Sequence, residues 1–291
     1  MSPEVESARL PRTHLERQHS DLGRWELATR GPHPELRAHV LGYIGIKSSI
    51  DMVRERHLPS GEAELLVNFG TPYRVVDPAC AGRSTEHHRV TVVGVHNRSV
   101  LTEGTGVQHV LVVRFRPIGA GLFLGLPMSE LTNRLVELDD IDAGLTQRVI
   151  ERLSTAPDWE TRFAIMDSLI AARLAAGRAP RPAMTWAWER LRDTGGRVGI
   201  GALAKELGCS HRHLVAQFRE HVGLAPKAVA RVLRFNRVLQ RVRRADRVNW
   251  AEIAQDCGYF DQAHCIRDFR TFAGCTPTEL MSRRIGDMVR E

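Results

Sequence analysis

The sequence predicts an α+β protein. A β-rich N-terminal half carrying accessory helices is followed by an all-α half, in which two similar helix pairs are joined by one long helix. Three observations carry this reading. From about Leu36 to Pro117 the apolar residues come in short β-branched runs, and after Pro117 they recur every three or four residues. Between Ile200 and Leu280 one pattern occurs twice, about 50 residues apart, which marks an internal repeat. Positive charge is also segregated. The 291 residues carry a formal net charge of +7, with 20 Lys/Arg against 12 Asp/Glu in residues 181–291 and 21 against 22 in residues 1–180. A basic half beside a neutral one is the electrostatic footprint of a nucleic-acid module attached to something else.

Residues 1–20 are polar and mixed in charge, and read as a poorly ordered tail. Residues 21–176 read as one domain. Its strands are expected at Glu64–Phe69, Arg89–Val95 and Val110–Phe115, separated by turn clusters such as Pro59-Ser60-Gly61 and Gly104-Thr105-Gly106. Short strands at this spacing suggest a sandwich or small barrel, whose mouth is a common place for a small ligand. Leu145, Val149 and Leu153, then Phe163, Met166, Ile170 and Leu174, predict amphipathic helices around 144–154 and 158–176. Their apolar faces are expected to cover the strands or to form a dimer seam. The proline-rich segment 177–182 reads as a linker, and Met184–Arg192 as the first helix of a second domain, 183–291.

The repeat begins at Ala202-Leu203-Ala204-Lys205-Glu206-Leu207-Gly208 and continues through Leu214, Phe218, Gly223 and Pro226. Its second copy begins at Glu252-Ile253-Ala254-Gln255-Asp256-Cys257-Gly258 and continues through Cys265, Phe269, Gly274 and Pro277. Each copy reads as helix, turn, helix. Small Ala204 and Ala254 admit a close crossing, and Gly208 and Gly258 reverse the chain with positive φ. Ser210 and Asp261 stand where a side chain caps the next helix. The pairs Leu214/Phe218 and Cys265/Phe269 lie at i and i+4 and face inward together. The second copy carries one extra residue between its turn glycine and Phe269. Two helix-turn-helix subdomains in tandem offer two helices for the DNA major groove.

Pro226 to about Arg244 predicts the joining helix. Ala228, Val232, Phe235, Leu239 and Val242 form one stripe on it, and Arg231, Arg234, Arg237, Arg241 and Arg244 form a second. At ~1.5 Å per residue it spans roughly 25–30 Å. That length can hold two reading helices about one DNA turn apart, ~34 Å.

Other classes are disfavoured. No apolar run of signal-peptide type opens the chain and no segment approaches the ~18 apolar residues of a membrane span, so a cytoplasmic protein without a membrane partner is expected. The five cysteines (Cys80, Cys209, Cys257, Cys265 and Cys275) are odd in number and lack a C-x-x-C pair, so reduced thiols are expected. A cupin-type metalloenzyme needs His and carboxylate ligands converging from strands. The only H-x-H is His211-Arg212-His213, on an expected reading helix. His57, His96 and His109 stand alone, and the adjacent His87 and His88 read as loop residues. No catalytic residue, metal site or cofactor is expected.

Leu203-Ala204, Gly208, Ser210, Leu214, Phe218-Arg219, Gly223, Pro226, Ile253-Ala254, Gly258-Tyr259, Arg267, Phe269, Gly274 and Pro277 resemble the AraC/XylS family of bacterial transcription regulators. The resemblance covers about 183–285. It implies seven helices in two helix-turn-helix subdomains that enter adjacent major-groove segments of double-stranded DNA. It is similar in the N-terminal half only diffusely, to the sensor half that many members carry. There, Leu58-Pro59-Ser60-Gly61 with Glu64-Leu65, and Arg114-Phe115-Arg116-Pro117, resemble a subgroup. The implied partners are DNA, RNA polymerase, a small-molecule effector and a second copy of the chain. The implied base-reading positions are Arg212, Val215 and Ala216 in the first copy and Gln262, Ala263 and Arg267 in the second, with His211, His213 and His264 beside them. Arg212 and Arg267 suit guanine, and Gln262 suits adenine. Members commonly place Arg where this chain has Ala216. Candidate phosphate contacts are Ser210, Arg231, Arg234, Arg241 and Arg270.

Overall fold

The computed structural model describes residues 11–20, 23–49, 52–76, 84–87, 89–177, 181–244, 248–282, 284–285 and 288–289. Cys80 and His88 lie outside them. The β-branched runs form two antiparallel sheets. The larger contains β1 (His14–Ser20), β2 (Gly23–Arg30), β3 (Val40–Ser48), β5 (Ala63–Asn68), β8 (Val90–Val93), β10 (Gln108–Phe115) and β11 (Leu135–Glu137), in the order β1-β2-β3-β10-β5-β8-β11. The smaller contains β4 (Met52–His57), β6 (Tyr73–Val76), β7 (Ser84–His87) and β9 (Val100–Thr105), in the order β4-β9-β6-β7.

Two expectations are corrected here. The tail read as poorly ordered is a strand over His14–Ser20, paired with β2 along its whole length. An edge strand is held by main-chain bonds and needs no apolar alternation, so the polar stretch HLERQHS gave no signal. His87 is not a loop residue. It ends β7, is 2% exposed, and its Nδ1 lies 2.6 Å from Glu137 Oε1 on β11, which ties one sheet to the other.

The strand period of two divides the large sheet into two faces. Ala63, Leu65 and Val67 are fully buried under helices, whereas Glu64, Leu66 and Asn68 turn toward the smaller sheet and stay partly accessible. The register places Glu64 and Leu66 on the face of Thr91 and Glu137, which meet His87 of the smaller sheet. The smaller sheet therefore meets this face of the larger one, whose residues Glu64, Leu66 and Asn68 stay partly accessible.

The covering helices are α1 (Pro117–Leu124), α2 (Asp139–Ser154) and α3 (Trp159–Ala176). Asp142 breaks the start of α2 and its Oδ1 accepts from Leu145 N at 2.9 Å, so regular helix follows from about the expected position. Leu145, Val149, Leu153, Phe163, Met166 and Ile170 join the core of the large sheet, with the ring of Tyr43 stacked on Phe163 at 5.5 Å. Gly45 is required where α3 crosses β3, because a Cβ there would lie against the Trp159 ring. Partly buried Asp167 accepts from Tyr43 Oη and from His33 N and pairs with Arg30, pinning α3 to the sheet.

Seven helices follow: α4 (Pro182–Asp193), α5 (Ile200–Glu206), α6 (His211–Val222), α7 (Pro226–Arg244), α8 (Trp250–Asp256), α9 (Gln262–Ala273) and α10 (Pro277–Ser282). The expected linker falls between α3 and α4, where residues 178–180 lie outside those described. Leu203, Leu214, Phe218, Val222 and Val229 belong to one core with the N-terminal half, while Phe235, Val238, Ile253, Cys265, Phe269 and Phe272 form a second. Helix α7 supplies side chains to both. Across the junction Thr132 Oγ1 donates to Gly223 O at 2.5 Å, and Asn236 Nδ2 of α7 donates to Ser60 O at 2.9 Å. The first helix pair is thus seated on the N-terminal half.

Candidate nucleic-acid interface

Helices α6 and α9 are built alike. Each follows a glycine turn with positive φ, 62° at Gly208 and 83° at Gly258. Each is capped by a side chain. Ser210 Oγ accepts from His213 N at 3.2 Å, and Asp261 Oδ1 accepts from His264 N at 2.6 Å. Each is 12 residues long and ends on a left-handed glycine, Gly223 or Gly274. The inward stripe is Leu214, Phe218 and Val222 in α6 and Cys265, Phe269, Phe272 and Ala273 in α9. Burial pushes the Cys265 thiol up to about 12 and raises Cys257, so both pack as small apolar groups rather than reactive thiolates.

The opposite faces point to solvent. His211, Arg212, His213 and Ala216 of α6 are exposed, with Val215 partly covered; Gln262, Ala263 and Arg267 of α9 are exposed, with His264 partly covered. Counted from their caps, Arg212 and Ala263 occupy one position and Ala216 and Arg267 another. Among the expected base-reading positions each helix therefore presents one guanidinium, Arg212 in the first turn of α6 and Arg267 in the second turn of α9, a difference of ~6 Å along the axis, while Arg219 and Arg270 are exposed in the last turns. Neither Arg212 nor Arg267 has an ion-pair partner among the described residues. Asp261 and Asp268, the acids nearest Arg267 in sequence, are engaged elsewhere, Asp261 as the cap and Asp268 in the interior.

Two of the expected phosphate contacts turn inward instead. Arg231 donates to Asp268 Oδ1 from Nε (3.1 Å) and Nη2 (2.6 Å), with its guanidinium 5.2 Å from the Phe272 ring centre. Asp268 is 1% exposed, so this bond satisfies a buried carboxylate and locks α9 to α7. Arg234 donates to Gly196 O at 2.9 Å and lies 5.5 Å from the Tyr259 ring centre. Arg241 is exposed but ion-paired with Asp256 of α8. Ser210 serves as the α6 cap. Arg270 is exposed without an ion-pair partner among the described residues. The side chain of Arg244 lies outside those described.

Sequence reasoning passed over Phe260. Cys209 N and Tyr259 N make equivalent bonds, to Ala204 O at 3.0 Å and to Ala254 O at 2.9 Å, and the caps Ser210 and Asp261 follow after none and one further residue. The extra residue of the second copy is therefore Phe260, and it stands 94% exposed at the tip of the turn before α9. The one-residue difference between the copies was the available signal.

Among the described residues, no group of three or more His, Cys, Asp or Glu is placed to hold a metal ion, and no helix is long and apolar enough to cross a membrane. A family model described as a helix-turn-helix domain matches residues 203–283, and one described as a domain of unknown function (DUF6597) matches residues 28–137. No curated protein matches the chain. Among solved structures the chain is similar to ToxT from Vibrio cholerae bound to (E)-4-(8-methylnaphthalen-1-yl)but-3-enoic acid. The identity is 12%, the match covers 93% of this chain and 98% of that one, and the TM-score is 0.46. A second ToxT structure from Vibrio cholerae matches at 11% identity over 96% and 100% of the two chains, with a TM-score of 0.44. The AraC-like transcriptional activator CuxR matches at 16% identity over 80% and 86%, with a TM-score of 0.29.

Proposed function

The C-terminal region is a helix-turn-helix domain of the AraC type, and from that premise we propose that the protein is a cytoplasmic, sequence-specific transcription regulator that reads two adjacent major-groove segments with α6 and α9. Arg212 and Arg267 read guanine, Gln262 reads adenine, and Ser210 and Arg270 hold phosphate. The observation that carries the reading is that Arg212 and Arg267, exposed and without an ion-pair partner among the described residues, stand opposite the buried stripes of the two capped helices, with both helices packed on α7. A solvated surface arginine can sit anywhere. Two at neighbouring heights on the outer faces of repeated helices match the geometry of base contacts. Control falls to a small molecule bound by the N-terminal half, which rests against α7 through Ser60 and Gly61.

The test recovers bound sites for the full chain from a random DNA library and titrates the best site against salt. Affinity is expected to fall steeply, with a slope near −0.9 per phosphate contact. Failure to enrich any sequence, or affinity independent of salt, would end the proposal.

Phe260 belongs to the same surface. Phe260→Ala is expected to leave the melting temperature unchanged, since the side chain packs on nothing, and to weaken operator binding by about 1 kcal/mol through lost burial against DNA. Equal affinity of variant and wild type would place Phe260 away from the DNA.

A further inference from the structure

Where α6 ends, a cleft of about 410 Å³ opens between the two halves of the chain. The C-terminal half lines it with Arg219, Gly223 and Ala228, and the N-terminal half with Asn97, Ser129 and Asn133. The seam beside it is fixed. Thr132 Oγ1 donates to Gly223 O at 2.5 Å, and a Cβ on left-handed Gly223 would lie 3.1 Å from Met128 O. The chemistry of the two walls is one-sided. Asn133 Oδ1 accepts from Asn97 N at 3.0 Å, which leaves the Asn133 Nδ2 as a donor. That Nδ2, the Asn97 amide, the Ser129 hydroxyl and the Arg219 guanidinium have no hydrogen-bond partner among the described residues. No Asp or Glu among the described residues lines the cleft. Glu220, next to Arg219 in sequence, is engaged by Gln217 at 3.1 Å and lies 3.9 Å from His221. Neutral donors around one full positive charge are the complement of an anion.

The place of Arg219 on α6 says which anion. Arg219 stands nine residues after the cap Ser210, as Arg270 stands nine after Asp261, so the two occupy one position in the repeat. Arg219 also follows Arg212 by seven residues. Two turns separate them, so both lie on one stripe of α6, ~10 Å apart along the axis. A helix that points its first turn at base edges in a groove ~12 Å wide has its last turn at the rim, where phosphates stand. The volume alone would suit a small molecule, since such pockets span ~300–1,000 Å³, but they bury most of their ligand. Here Ser129 and Arg219 are exposed and Asn97, Asn133 and Ala228 are partly accessible, so the cleft stays open to a chain passing over it.

We propose that this cleft takes a backbone phosphate of the operator, so that the N-terminal half contributes to DNA binding directly. Arg219 supplies the charge, and Ser129, Asn97 and Asn133 supply neutral donors from across the seam. This rests on the reading of α6 given under Proposed function and adds to it a phosphate contact shared by the two halves.

The experiment titrates the full chain and its variants on the selected operator and on unrelated DNA at several salt concentrations. Arg219→Gln is expected to weaken both DNAs alike and to make the salt slope shallower by about 0.9, which is about eightfold in affinity at ~0.1 M relative to ~1 M salt. Ser129→Lys is expected to tighten both by about the same factor, and Ser129→Glu to weaken both. Damage to the fold would lower affinity for either substitution, so opposite signs are the mark of a nearby phosphate. Ser154→Lys, the same change on α2, is the control. It is expected to leave the slope as it is, since screening confines a surface charge to about 10 Å at ~0.1 M salt. Should the Ser129 variants not fold, Asn97→Lys and Asn97→Asp repeat the pair. An unchanged slope for Arg219→Gln overturns the shared contact. So does no change, or loss for both signs, at Ser129, or an equal shift from Ser154→Lys. Inorganic phosphate that raises the melting temperature of the wild type but not of Arg219→Gln, with DNA binding unmoved by the Ser129 pair, assigns the cleft to a free anion and overturns it as well. In each of these outcomes the DNA-reading regulator stands, whereas a chain that selects no DNA removes that reading and this inference with it.

Discussion

Arg267→Ala is expected to weaken binding to the preferred operator by ~1–3 kcal/mol and to abolish discrimination at one base position. The expectation follows from where the guanidinium stands. Arg267 lies on the face of α9 opposite Cys265 and Phe269, is exposed, and makes no ion pair among the described residues, so nothing competes with a guanine for its donors. The first copy has Ala216 at that position, so discrimination lost through Arg267 cannot be recovered from the equivalent site. Arg270→Ala is the contrasting variant, because Arg270 points to solvent from the last turn of α9 and suits a phosphate. It is expected to weaken all sequences alike and to make the salt slope shallower by about one unit. Both variants are to be titrated on the operator and on its single-base substitutions at several salt concentrations. A uniform loss for Arg267→Ala with base preference intact would make Arg267 a positioning residue and move guanine reading to Arg212.

Arg231→Met is expected to destabilise the second helix pair by about 2–3 kcal/mol. Removing the guanidinium leaves Asp268 inside with neither a counter-charge nor its donors, and Asp268 Oδ2 already has no partner. The expected cost sits below the full range for buried pairs because the Arg231 side chain is 37% exposed and water can enter its place. Arg231→Met with Asp268→Asn is expected to recover much of the loss, since a neutral amide is far less costly to bury than an unpaired charge. Denaturant unfolding of the single and double variants measures this, and Trp250, 6.0 Å from Phe269, reports on the same core. A loss below about 0.5 kcal/mol for the single variant would mean that Asp268 is rehydrated and that α9 is held by its aromatic contacts with Phe235.

What was legible in the sequence was whatever short-range chemistry decides. The turns at Gly208 and Gly258, the caps Ser210 and Asp261, the inward pairs Leu214/Phe218 and Cys265/Phe269, and the outward positions Arg212 and Arg267 all follow from spacings of at most four residues. One turn of helix enforces such spacings wherever it forms. The strands β5, β8 and β10 were visible for a similar reason, because alternation and β-branching are local. Long-range partners were not. The arginine stripe on α7 reads the same whether it meets phosphate or the interior, and only packing brought Asp268, 37 residues on, beneath Arg231 and the Gly196 carbonyl beneath Arg234. The polar strand β1 exists because an edge of the sheet was open to it. Glu64 looked like any outward carboxylate of a strand. The smaller sheet placed it on a face that meets a second sheet, since whether a face meets water or another sheet depends on the whole fold rather than on the strand's own residues.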